Sequence, residues 1–198
     1  MKSALELAME RMRRLDEEMS PEEKETERRQ HYLSQGETLA SQHLKDRPFT
    51  RKRVESEVQR FPAERHSLVW QGFWQGILAA LQIEAPSERA EDVVADWGKE
   101  PGQELVQHLH QLRTTLQPQE AQAFVDCMAH FEGQARLQRL AAAGIQVDYP
   151  AVARQSRRWH EQQAALRASI TAALEEAKAS FWGTLFDSAY PNMGKKKC

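Results

Sequence analysis

The sequence predicts an all-α protein, and three observations predict it. Ala, Leu, Glu, Gln and Arg dominate while β-branched residues are sparse, a composition that favours helix over strand. Apolar residues recur every three or four positions along most of the chain. Serine, threonine and proline stand where these patterns begin, and glycine or proline where they stop. The expected architecture is a bundle of about six to seven helices over residues 47–190. A charged, extended helical arm over 1–46 precedes it, a long helix closes it, and a disordered tail over 191–198 follows.

The first helix is expected to start at Ser3, whose hydroxyl can cap free backbone N–H groups. Leu5, Ala8, Met12, Leu15 and Met19 then repeat at 3-4-3-4 spacing, a coiled-coil type of seam about two heptads long. Ser20-Pro21-Glu22-Glu23 opens the next helix, with Ser20 as cap, Pro21 at the first helical position and Glu23 closing the capping box. That helix runs to about Lys45 and is polar until Tyr32 and Leu33, so its first turns project into solvent or lie on a partner. Arg47-Pro48 ends it. Thr50 then caps a short helix through Arg60, with Val54, Val58 and Phe61 on one face. Pro62 opens the most apolar helix, which reaches Leu81 or Ile83 and keeps Ser67, Gln71, Gln75 and Gln82 as its polar stripe. Gly72 and Gly76, one turn apart, let a neighbouring helix approach closely.

Ser87 caps a short acidic helix that carries Val93, Val94 and Trp97, and Gly98 and Pro101-Gly102 break the chain again. Leu105, Leu109, Leu112 and Leu116 mark a further helix, and Pro118 opens another with Phe124, Met128, Phe131 and Ala135 inward. Gly144 fits a left-handed stop, with Ile145 folding back toward Leu140. From Pro150 to about Ala189 the pattern predicts one continuous helix, roughly 60 Å long. Its end, Phe181, Trp182, Leu185, Phe186 and Tyr190, reads as a docking knob. No segment is long enough for a strand, and no repeat of fixed period is present.

Net charge of −2 and a pI near 6.4 exclude generic electrostatic capture of nucleic acid. The charge is uneven: residues 66–148 hold 5 basic and 11 acidic side chains, whereas 149–198 hold 8 basic and 4 acidic. An acidic middle and a basic end can attract each other within one bundle or between copies. Two cysteines, Cys127 and Cys198, give no disulfide framework. Glu6 interrupts any apolar leader, and the Leu68–Leu81 stretch carries Gln71 and Gln75 and is too short to span a bilayer. A cytoplasmic protein is expected.

Few residues offer chemistry. No Glu-x-x-His pair of a bundle di-iron site occurs, nor His-Glu-x-x-His. Cys127 and His130, at i,i+3, could supply half a zinc site, while His108 and His110 fall on different helix faces. Against this, a small buried hydrophobe at Cys127 and surface histidines account for the same residues. No nucleophile elbow and no glycine-rich phosphate loop occurs. Arg47, Arg51, Lys52 and Arg53 cluster at a helix start, where a bound anion would relieve their repulsion, or they form a solvated run. Trp70, Phe73 and Trp74 fit core packing better than a ligand pocket. No cofactor is expected.

The opening Lys2-Ser3-Ala4-Leu5-Glu6-Leu7-Ala8-Met9-Glu10 resembles the start of small bacterial helical proteins without assigned activity, over about a dozen residues. The resemblance implies a bacterial origin and carries over no functional residue. The expected function is non-enzymatic: a protein–protein interaction or assembly module. Its contacts would be the seam Leu5, Met12, Leu15, Met19 and the knob Phe181, Trp182, Leu185, Phe186. The alternatives are a metal- or ligand-binding bundle enzyme using Cys127 and His130, and an anion- or nucleic-acid-binding regulator using Arg47 to Arg53.

Overall fold

The computed structural model describes Met9 and residues 19–45, 50–130, 134–146 and 148–189. Among them the fold is all-α, with no strand. The helices are α1 Pro21–Lys45, α2 Arg51–Val58, α3 His66–Ala79, α4 Glu88–Trp97, α5 Lys99–Ala129, α6 Gln134–Ala142, α7 Tyr149–Arg154 and α8 Arg157–Ala189. A 3-10 turn, Ala63–Arg65, leads into α3. The chain divides into two compact units, Met1–Ala80 and Leu81–Cys198.

In the first unit α1 begins as the sequence predicts. The Ser20 N–H donates to Glu23 Oε2 at 2.7 Å, and the Glu23 N–H donates to Ser20 Oγ at 3.2 Å. Hydrogen bonds from the Ser20 backbone and then the Ser20 side chain hold the Glu23 carboxylate below its usual pKa. The last turns of α1 then lie directly on α3. A methyl group on Gly36 would overlap the Val69 carbonyl oxygen, and one on Gly72 the Leu33 carbonyl oxygen. The crossing therefore has backbone against backbone. Gly76 meets the Ala40 methyl one turn further on.

Around this crossing Leu39, Val54, Val58, Val69, Phe73, Ile77 and Leu78 form the core. Phe73 stands edge-on to Trp70 at 5.6 Å and to His43 at 6.0 Å. Arg65 clasps Glu25 with two hydrogen bonds, at 2.5 and 3.2 Å, and its guanidinium lies 5.7 Å from the Tyr32 ring. Compact packing of this unit extends to Ala80. The later turns of α1 share this core through Gly36, Leu39, Ala40 and His43, while its first turns stay largely exposed, because α3 is too apolar to stand alone.

Three local expectations differ here. The Thr50 hydroxyl makes no capping bond; its carbonyl accepts from the Arg53 and Val54 N–H groups instead. Helix α2 ends at Val58 rather than Arg60, and α3 ends at Ala79.

In the second unit α4 and α5 meet at a corner in which Lys99 adopts a left-handed φ of 55°. Gly102 then sits so close to α4 that a methyl group there would overlap the Val94 carbonyl oxygen. Ser87 caps α4 by accepting the Ala90 N–H at 3.4 Å. The expected break at Pro118 does not occur, for α5 runs as one helix of 31 residues. The proline removes one backbone donor, but packing on both sides of it holds the helix together. Beyond Pro118, Glu120 accepts from Arg167 at 2.9 Å and from Gln163 at 3.3 Å, and Phe124 stands edge-on to Trp159 at 5.1 Å. Before it, the Phe181 ring packs on Gly98. Helices α5 and α8 therefore lie antiparallel along their length.

The C-terminal helix, by contrast, is not continuous from Pro150 but breaks after Arg154. Ser156 Oγ donates to the Ala153 carbonyl at 2.6 Å and accepts the Trp159 N–H at 3.2 Å, which closes α7 and caps α8. What remains, 33 residues, is roughly 50 Å long. Ser156→Ala is expected to cost about 1 kcal/mol of stability in urea unfolding. An unchanged midpoint would mean that the cap contributes nothing. At the end of α6, Gly144 has φ 79° as the sequence predicts, and the Ile145 N–H bonds the Leu140 carbonyl, though Ile145 itself is left 51% exposed.

Candidate functional site

The predicted knob at the end of α8 splits into two parts. Phe181 is 4% exposed and belongs to the core against Gly98. Trp182, Leu185 and Phe186 stay half-buried, and the Trp182 and Phe186 rings lie 4.4 Å apart at 38°. Tyr190 and the seam residues Leu5, Met12 and Leu15 lie outside the described residues, and Met19 is half-buried. Of the basic cluster, Arg47 lies outside the described residues, and Arg51, Lys52 and Arg53 are exposed. Arg51 is paired with Glu55 at 2.9 Å.

Cys127 is fully buried, with Sγ 4.0 Å from Ser156 Oγ. His130 uses Nδ1 on the Asp126 carbonyl at 2.9 Å. Among the described residues no group of three His, Cys, Asp or Glu side chains could hold a metal ion. No described helix is long and apolar enough to cross a membrane.

A largely buried electrostatic clamp, which follows no local sequence motif, joins α4 to α5. Glu91, on the inward face of α4, is only 8% exposed. Its Oε2 is 2.7 Å from His110 Nε2, and its Oε1 accepts from Arg113 Nη1 at 2.6 Å. Arg113 Nη2 donates onward to the Gln82 carbonyl at 2.6 Å. Burial raises the Glu91 pKa, but the hydrogen bonds from His110 and Arg113 outweigh it and hold the carboxyl below the usual glutamate range. A carboxylate only accepts, so Nε2 of His110 carries its proton, and a neutral ring keeps its lone pair on Nδ1. Sequence offered one signal: Glu91 sits between Ala90 and Val93, on the face that α4 buries.

His110 also lines an open groove of about 550 Å³ along α5, with Ala95, Val106, Gln107, Gln111 and Thr114. A smaller cleft of about 380 Å³ between α5 and α8 is lined by Glu104, His108, Ser180 and Thr184 among others. The clamp ties α4 and the segment before it to α5, and leaves the buried Arg113 Nε without a hydrogen-bond partner. No protein-family model matches the chain, no curated protein matches its sequence and no solved structure matches its fold.

Proposed function

We propose that this chain is a helical interaction or assembly module that works without catalysis, by docking apolar helix faces against a second copy of itself. The observation that carries the reading is the end of α8. There Trp182, Leu185 and Phe186 remain half-buried beside a buried Phe181. Large aromatic side chains of this kind supply most of the energy of protein interfaces once covered. The 3-4 spacing of Leu5, Ala8, Met12, Leu15 and Met19 in the sequence supports a second, aliphatic contact. A reducing, cytoplasmic setting goes with this reading, since the two cysteines form no disulfide framework.

Light scattering on the full chain tests it. The expected mass is a multiple of 22.8 kDa. It should fall toward 22.8 kDa for Trp182→Glu with Phe186→Glu, or for Leu5→Glu with Met12→Glu, while circular dichroism stays helical. A wild-type chain that is monomeric at every concentration would overturn the reading.

A further inference from the structure

The first compact unit ends at Ala80, and the second begins at Leu81. Residues 81–87 form no helix, so they are the connector by which the chain enters the second unit. Gln82, Glu84, Ala85 and Pro86 are exposed, as in an ordinary surface loop. Two arginines of the second unit nevertheless strap this loop down. Arg113 of α5 donates through Nη2 to the Gln82 carbonyl at 2.6 Å. Arg167 of α8 reaches Glu84 at 2.5 Å. Among the described residues these are the hydrogen-bonded and ionic ties that hold residues 82–86 to the helices.

The two straps differ in strength. Arg167 and Glu84 are both exposed, and Arg167 is shared with Glu120, so that pair contributes little. Arg113 is only 18% exposed, and its Nη1 is fixed on the buried Glu91 at 2.6 Å. Glu91 thereby aims the guanidinium, and Nη2 takes the connector. A hydrogen bond from a cation to a carbonyl is stronger than a neutral one, and partial burial spares it much of the screening by salt. A buried ion pair is a weak source of net stability compared with apolar side chains of the same size. What this pair adds is a fixed grip on chain that lies outside the helices.

We infer that residues 82–86 are a latched connector: the Arg113 strap holds them on the second unit, and its loss lets them out as a spacer while both units stay folded. Five residues reach up to roughly 17 Å when extended, so the latch decides whether that length is available between the units. The inference concerns one chain alone and stands apart from the self-association reading.

Digestion of the full chain by a protease that cuts after glutamate provides the test, with the cut sites read by mass spectrometry. Cleavage after Glu84 should be slow in the wild-type chain and at least about tenfold faster in Arg113→Ala, in line with the loss of a hydrogen bond from a charged donor. Because that change also strands Glu91, Arg113→Ala with Glu91→Ala is the second variant, which loses the strap without leaving a buried charge. It should be cut after Glu84 as fast as the single variant. Arg167→Ala should change the rate by less than about threefold. Circular dichroism should stay helical throughout, and cleavage after Glu104, inside α5, should not accelerate. A double variant cut after Glu84 no faster than wild type would overturn the latch. Equal acceleration after Glu104 would overturn it too, because the unit itself would then be opening. Arg167→Ala matching Arg113→Ala would overturn the assignment of the latch to Arg113.

Discussion

Gly72→Ala is expected to lower the stability of the first unit by about 2–3 kcal/mol, read from urea unfolding by circular dichroism. The sign is what makes the result informative. Alanine favours an exposed helix interior over glycine by about 1 kcal/mol, so propensity alone predicts a gain. Packing decides otherwise, because the added methyl would overlap the Leu33 carbonyl oxygen. A backbone atom cannot swing aside as a side chain can, so α1 and α3 would have to separate. Gly36→Ala should behave alike, through the Val69 carbonyl. Gly76→Ala should also cost stability, since its methyl would come within 2.7 Å of the Ala40 methyl, which has no rotamer to move to. A midpoint that rises for Gly72→Ala would sink the close crossing.

Glu91→Ala is expected to cost about 3 kcal/mol at neutral pH, because it leaves Arg113 largely buried without its counter-charge. Acid should erase the difference. The folded-state pKa of Glu91 is lowered, so its contribution is complete above the ordinary glutamate range and is lost as pH falls through the folded value. Wild-type and variant stability should therefore converge in acid and separate as pH rises. A gap that is constant across that range would mean that the loss comes from side-chain packing and not from charge. His110→Gln should cost much less, since His110 is 58% exposed and Arg113 still neutralises the carboxylate.

Helix type was legible throughout, because burial demands apolar residues at helical intervals whatever the tertiary partner. The caps at Ser20 and Ser87 and the Gly144 stop were legible as well, since each depends on groups within a few residues. The failures concern competition between local signals and distant packing. Pro118 looked like a boundary, yet contacts from α8 beyond it carry α5 through. Ser156 was passed over because no proline or glycine marks the break, although a serine three residues before Trp159 is itself a capping signal. The Gly72 crossing was half visible: its openness to a neighbour could be read, but Gly36 as the opposite contact could not. The Glu91 clamp joins residues 19 and 22 positions apart, a pairing that no local spacing reveals.

The division at Ala80 bears on how this protein melts. Two compact units on one chain are expected to unfold in more than one step, which makes a single melting temperature a poor description of the whole. The tryptophans are distributed so that the transitions can be told apart. Trp70 and Trp74 report on the first core, and Trp97, Trp159 and Trp182 on the second. Separate steps in the fluorescence of the two tryptophan groups would show which unit yields first.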